Sequence, residues 1–345
     1  MASQKKDNAL PKVCIYGAGS IGVYVGGRLQ AAGVEVSFIG RQRIADQVAA
    51  HGLRLTDWQG ADIQLPAKAV HFATDDAAIS AADIIIVTVK SAATDEVGRA
   101  LAGRIKPDVV VVSLQNGIGN ARTLAKYLPD NPVLTAMISF NVLQRGDGHF
   151  HAGTEGELMS DPHPQLEVLL PYFQAGDLPL ELRADMHEVQ WAKLLMNLNN
   201  ALNALSGIPL HDELSQRDYR RCLAMLIEET LTILKRSDIR PARLMPVPMR
   251  MLPWILKSPD WLFTRLAKQM LAIDPLARSS MWEDLEAGRV TEIDWINGEV
   301  VRQAEKAGAT APANQRIIAL IRAAESGGKR DWSGAELLRE LKEAV

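Results

Sequence analysis

The amino-acid sequence predicts an α/β chain in two parts, an N-terminal doubly wound parallel sheet followed by an all-helical domain. Three observations lead there. A strand, a glycine-rich turn and a helix follow one another over residues 12–32. Continuous β-branched runs then alternate with helical stretches up to about residue 160, and after about residue 181 strand signals give way to long helical patterns. Repeated strand-then-helix units imply parallel pairing, because each crossover helix brings the chain back to start the next strand in the same direction.

The opening stretch is K-V-C-I-Y-G-A-G-S-I-G. Its apolar run, Val13 to Tyr16, reads as a buried strand, and Gly17, Gly19 and Gly22 follow at G-x-G-x-x-G spacing. Residues 21–32 read as a helix closed by Gly33. Any glycine-rich turn can match this spacing, so a purely structural turn is the competing reading. The strand before it and the helix after it favour a dinucleotide site of Rossmann type. Gly17 permits the sharp turn, Gly19 lets a pyrophosphate approach the backbone, and Gly22 lets the helix pack on the strand. Ser20 and Ile21 open the helix, whose N-terminus faces the phosphates. A second strand, residues 34–39, ends in S-F-I-G-R-Q-R. An NAD site places a carboxylate there for the ribose hydroxyls. This chain instead offers Arg41 and Arg43, and guanidinium pairs with a 2′-phosphate. The expected cofactor is therefore NADPH, with Arg41 as the contact and Arg43 as a surface charge.

The remaining elements follow in order. Residues 62–65 and 69–73 read as short strands around Pro66, and 83–89, 108–114 and 133–142 as strands of the sheet. The two β-branched runs among these look like strands buried on both faces. Residues 91–103 and 120–128 read as helices. Further helices are expected over 187–205, 217–237, 261–272, 279–287, 292–307 and 313–325. The domain expectation is a disordered tail at 1–10, an NADP-binding domain at 11–182, a helical substrate and catalytic domain at 183–330, and a C-terminal tail helix at 331–345. Prolines at 246, 248, 253 and 259 forbid one helix across the apolar stretch 244–263. It reads as an irregular hairpin packed on the helical domain, with an oligomer contact or a cover over a cleft as the sharper alternative.

Composition bounds the function. The 345 residues carry a formal net charge of −3, which offers no bulk attraction to nucleic acid or anionic membrane. The two cysteines, Cys14 and Cys222, fall in a strand and a helix and read as buried thiols in a reducing compartment. No stretch is long and apolar enough to span a bilayer. A soluble, cytoplasmic protein without a metal is expected, binding neither nucleic acid nor membrane.

Candidate chemistry lies at strand ends and on one helix. In a doubly wound sheet, ligands sit outside the carboxyl ends of the strands. Lys90 closes one buried strand and Asn116 the next, although Asn116-Gly117 is also a good turn pair and Lys90 could be a surface lysine. The helix W-A-K-L-L-M-N-L-N-N-A-L-N places Lys193, Asn197 and Asn200 at i, i+4 and i+7, within about 60° on one face. Asparagine is a poor helix former, so four of them at 197, 199, 200 and 203 want a reason beyond a polar surface stripe. A cleft that binds substrate by hydrogen bonds supplies one. Desolvation there would lower the pKa of Lys193 and fit it for general acid catalysis. Ser279 or Ser280 can cap a helix, and Glu292 and Asp294 can serve as helix-start acids.

Together these residues resemble the ketopantoate reductase (2-dehydropantoate 2-reductase) family. The resemblance rests on G-A-G-S-I-G, W-x-K-L-x-x-N, and S-S-M-x-x-D-L followed by T-E-I-D-x-I-N-G, and covers roughly residues 11 to 325. It implies NADPH-dependent reduction of a small 2-oxo acid, 2-dehydropantoate, to pantoate. It also implies Lys193 as general acid, Asn116 in contact with cofactor and substrate, Lys90 at the matching strand end, Asn197 and Ser280 on the substrate, and Glu292 as a second catalytic residue beside lysine and cofactor. The family usually has a second asparagine eight residues after the lysine, followed by proline. Here that position is Ala201, and either Asn200 or Asn203 could replace it. A reductase of another 2-oxo acid or of an imine, a non-catalytic NADP(H) sensor, and a homodimer through the helical domain all stay open at this level.

Overall fold

The computed structural model describes residues 10–154, 156–266 and 277–345. The expected tail at 1–10 lies outside the described residues except for its last position, as does the end of the helix expected over 261–272. The chain forms two units. One comprises residues up to 115 together with 119–186, and the other comprises 116–118 together with 187–345.

The first unit holds strands β1 (Val13–Tyr16), β2 (Val36–Ile39), β3 (Leu53–Asp57), β4 (Asp62–Leu65), β5 (His71–Ala73), β6 (Ile84–Val87), β7 (Val110–Ser113), β8 (Val133–Ile138), β9 (Val142–Gly146), β10 (His149–Ala152), β11 (Leu158–Ser160) and β12 (Leu180–Leu182). Its helices are α1 (Ser20–Ala31), α2 (Gln42–His51), α3 (Thr94–Leu101), α4 (Asn120–Tyr127) and α5 (Pro164–Ala175). Among the described residues the main sheet runs β5-β2-β1-β6-β7-β8-β11-β12. Its first six strands pair parallel. The sheet continues past β8 through an antiparallel pairing with β11. Alternate residues feed two cores. Ile15, Ile84, Ile86 and Val112 enter one, and Cys14, Ile85, Val87 and Val111 the other. Each side chain so buried contributes about 1.5–3 kcal/mol. Both thiols are buried and free, as expected. The strand order reverses between β1 and β6, which sets a switch point outside their carboxyl ends.

Several elements depart from the sequence reading. The strand expected over 133–142 ends at Ile138, and Val142 begins β9 in a separate four-stranded sheet of order β4-β3-β10-β9. Residues 62–65 are a strand, but one paired with β3 in that second sheet. Asp147 and Gly148, both at positive φ, make the turn that folds β10 back on β9. Helices α2 and α5 went unread.

The second unit is helical. It contains α6 (Met186–Asn197, whose first residue belongs to the sheet unit), α7 (Asn199–Ser206), α8 (Leu210–Ser215), α9 (Arg217–Arg236), α10 (Leu252–Lys257), α11 (Asp260–Leu266), α12 (Ser280–Glu286), α13 (Asn297–Lys306), α14 (Pro312–Glu325) and α15 (Gly334–Ala344). The helix expected over 187–205 is interrupted at Leu198. The helix expected from 292 starts as a 3₁₀ turn, Ile293–Trp295, before α13. The apolar stretch is not a hairpin. Pro253 lies in the first turn of α10 and Pro259 precedes α11, positions where proline's missing N–H is harmless. Leu252, Ile255, Leu256 and Phe263 are buried there while Trp254 and Trp261 stay exposed. Arg220 of α9, itself buried, fastens this stretch through the carbonyls of Leu256 and Ser258 and the carboxylate of Asp260. Among the described residues no helix is long and apolar enough to cross a membrane.

Candidate active site

In the sheet unit the glycine turn is built as its sequence demands. Gly17 has φ +97°, and a Cβ there would lie 2.5 Å from Val89 Cγ1. Thr88 Oγ1 donates to the Gly17 carbonyl at 2.8 Å and fixes the turn to the end of β6. A Cβ on Gly22 would lie 2.4 Å from Thr88 Oγ1 and 2.7 Å from Ile15 Cγ2, so only glycine lets α1 approach the sheet this closely. At Gly19 a Cβ would meet only the Gly17 carbonyl, at 3.8 Å. The chain thus leaves the cradle that a pyrophosphate requires. Gly19 caps α1 without a side-chain hydrogen bond. Ser20, Ile21 and Gly22 form the first turn of that helix, whose amides have no intrahelical acceptor. The residues present therefore fit a dinucleotide.

The two arginines after β2 separate. Arg43 donates to Gln144 Oε1 at 2.8 Å. Arg41 is exposed and has no hydrogen-bond or ion-pair partner among the described residues. Lys90 stands half-buried just past β6. The loops after β6 and β7 are held by a buried network that sequence reasoning missed. Gln115 Nε2 donates to the Val89 carbonyl (3.1 Å) and to Thr94 Oγ1 (2.8 Å). Thr94 donates to Asn120 Oδ1 (2.9 Å), and Asn120 to Ser91 Oγ (3.2 Å). Hydroxyls and amides clustered just after two buried strands were the available signal. Their burial was not legible.

In the helical unit Lys193 and Asn197 lie on α6 and Asn200 lies on α7, past the break at Leu198. All three are partly buried, while Leu194, Leu195, Leu198 and Leu202 are buried. Burial pulls the Lys193 ammonium down from 10.5 to about 8. Among the described residues neither its amine nor the amides of Asn197 and Asn200 have a hydrogen-bond partner. Such groups, half out of water and unpaired, suit a ligand that supplies the missing bonds. Asn203 differs. It is fully buried, and its amide donates to the Ile208 carbonyl (3.0 Å) and Glu213 Oε2 (2.7 Å) while its oxygen accepts from the Ser279 N–H (2.8 Å). Asn203 is consumed by the fold, whereas Asn200 keeps its side chain uncommitted.

The two serines also divide their tasks. Ser279 caps α12, its Oγ accepting from Trp282 N–H at 3.1 Å and donating to the Asn200 carbonyl at 3.0 Å. Ser280 is the exposed first residue of that helix. Glu292 accepts from Asn116 Nδ2 at 3.4 Å. The three-residue segment carrying Asn116 is anchored within this unit, since Gln190 Nε2 donates to the Gly117 carbonyl at 3.2 Å. A Cβ on Gly117, which has φ +83°, would meet the Trp295 carbonyl at 2.7 Å. Asp294 pairs with Arg322 instead. Glu213 was not foreseen. It is fully buried on α8, and burial pushes its carboxyl up to about 7 against the pull of the Asn203, Asn199 and Ser206 side chains.

The N-terminal domain described as ketopantoate reductase PanE/ApbA matches residues 13–165, and the C-terminal domain of that family matches residues 185–325. The chain is similar to the 2-dehydropantoate 2-reductase of Halobacterium salinarum, 27% identical over 325 residues, which cover 92% of this chain and 100% of that protein. Among solved structures it is similar to a PanE/ApbA family ketopantoate reductase from Ralstonia eutropha, with a TM-score of 0.78 and 30% identity over 92% of this chain and 99% of that one. It shares its fold with a D-mandelate dehydrogenase solved with NADH and anilino(oxo)acetate, at a TM-score of 0.74 and 21% identity over 92% and 99% of the two chains. The chain therefore belongs to the ketopantoate reductase PanE/ApbA family and is an NAD(P)-dependent oxidoreductase of that family.

Proposed function

We propose that this protein reduces 2-dehydropantoate to pantoate with NADPH, and that Lys193 is its general acid. The observation that carries the reading is Lys193 itself, a partly buried amine with a lowered pKa, four and seven residues before two uncommitted, partly buried asparagines. Gly17, Gly19, Ser20, Ile21 and Gly22 would hold the pyrophosphate, Arg41 the 2′-phosphate, and Lys90 and Asn116 the nicotinamide half. When bound, the dinucleotide supplies the hydride that reaches the ketone carbon. The Lys193 ammonium gives its proton to the ketone oxygen as negative charge develops there, so that hydride and proton together make the alcohol. Asn197, Asn200 and the Ser280 hydroxyl donate to the carboxylate and distal hydroxyl of the substrate and fix its orientation. Glu292 orients the Asn116 amide through their hydrogen bond.

A second reading, reduction of a different 2-oxo acid with the same residues, draws on Ala201, which stands where the family usually has its second helix asparagine. The test is NADPH oxidation over a panel of 2-oxo acids and imines. Selective turnover of 2-dehydropantoate supports the first reading, turnover of another member supports the second, and no turnover at all leaves a nucleotide-binding sensor.

A further inference from the structure

We propose that Glu213 is a positioning residue for the substrate side of this site, acting through Asn203 and Ser279. The proposal rests on reading Asn200 and Ser280 as substrate contacts. Asn203 is a primary amide with a donor and an acceptor end, and nothing in its own shape decides which way it points. Glu213 decides it. Oε2 of Glu213 accepts from Asn203 Nδ2 at 2.7 Å and from Ser206 Oγ at 3.2 Å, and the Ile208 carbonyl accepts from the same Asn203 nitrogen at 3.0 Å. Two acceptors on one side force the Asn203 oxygen to the other, where it takes the Ser279 N–H at 2.8 Å. A carboxyl protonated on Oε1 would still present Oε2 as an acceptor, so the arrangement does not depend on the charge of Glu213.

From Ser279 the arrangement reaches the site by two short steps. Its hydroxyl donates to the Asn200 carbonyl, which ties the start of α12 to the helix turn that carries Asn200. The same hydroxyl caps α12, whose first residue is Ser280. Glu213, Asn203 and Ser279 are all less than a tenth exposed, so no water competes easily for these bonds. An amide turned the wrong way would set its NH₂ against the Ser279 N–H and two acceptors against its oxygen. The placement of Ser280 relative to Asn200 would then be lost.

The experiment compares Glu213→Leu and Glu213→Gln by steady-state kinetics on the best 2-oxo acid, with thermal unfolding in parallel. Glu213→Leu is expected to raise KM for the oxo acid by about ten- to a hundredfold, the scale of one or two lost buried hydrogen bonds. KM for NADPH should stay within about twofold. Glu213→Gln, which keeps an acceptor oxygen, should restore KM to within about threefold of the parent. An unchanged oxo-acid KM in Glu213→Leu, or a parallel rise in both KM values, overturns the proposal and leaves Glu213 a packing residue. Should Glu213→Leu fail to fold, Asn203→Ala carries the same expectation and decides. Asn200→Ala and Ser280→Ala run alongside. If they leave the oxo-acid KM unchanged, the reading of the site fails and the proposal falls with it. If they raise KM while the Glu213 and Asn203 variants do not, only the positioning role is refuted.

Discussion

Lys193→Met removes the charge and keeps most of the stem, and it should make the protein more stable while nearly abolishing turnover. In the folded chain burial lowers the ammonium from 10.5 to about 8. At 1.36 kcal/mol per pH unit this amounts to about 3 kcal/mol against the charged form, trimmed to about 1–3 kcal/mol because the amine is not wholly out of water. Below pH 8 both folded and unfolded chains hold the proton, so the full penalty weighs on the folded state. Between about 8 and 10.5 the folded chain releases the proton first, and stability rises with pH. Above that range the penalty is gone. Urea unfolding of the nucleotide-free protein should therefore show Lys193→Met more stable than the parent by about 1–3 kcal/mol at pH 7, with the gap closing towards pH 10.5. In the same preparation kcat should fall by about 10²–10⁴, the range for a lost general acid. Parental turnover should decline above pH 8 as the ammonium disappears. A variant no more stable than the parent at pH 7, or one that turns over within a few-fold of it, would refute the reasoning and send the search for the proton donor to water or Lys90.

Other expectations are shorter. Arg41→Ala should weaken NADPH by about 1–3 kcal/mol and barely affect NADH, whereas Arg43→Ala, which removes a group already held by Gln144, should affect neither strongly; fluorescence titration of both nucleotides checks this. Gly19→Val should leave a folded chain that no longer binds nucleotide, because the added atoms meet little of the chain itself, while Gly22→Val should lower the melting temperature, because its Cβ collides with Thr88 and Ile15. Normal nucleotide affinity in folded Gly19→Val would reduce the turn to a structural one. Glu292→Ala should slow turnover and raise KM for the oxo acid by removing the carboxylate that accepts from the Asn116 amide, and a variant with parental kinetics would remove Glu292 from the site.

What the sequence disclosed and what it hid follow from the range of the forces involved. The turn after β1, the β-branched strands and the helices at 217–237 and 313–325 are specified by residues close together in the chain, and local pattern reads them. Of the sheet of β3, β4, β9 and β10, Asp62–Leu65 reads as a strand from its sequence, but the sheet itself is made by the parallel pairing of β3 with β10, which lie far apart in the chain and leave no local pattern. The Lys193, Asn197 and Asn200 spacing was legible because the three lie within eight residues of the chain, although the break at Leu198 between α6 and α7 was not. The separation of Asn200 from Asn203, and of Ser279 from Ser280, was not, because partners distant in sequence make it. Glu213 lies on a six-residue helix beside Asp212, where an ordinary solvent-facing acid would also be found.

The segment 116–118 has a bearing on how this gene could be cut. Although it lies between β7 and α4 in the chain, it forms a compact body with residues 187–345. A fragment starting at residue 187 would lack the amide that Glu292 accepts from and the carbonyl that Gln190 donates to, and a fragment ending at 186 would carry three residues away from their neighbours. No single cleavage point yields two whole modules. Recombination between members of the family would have to exchange this loop together with the C-terminal half, so the three residues and the helices should be inherited as one block.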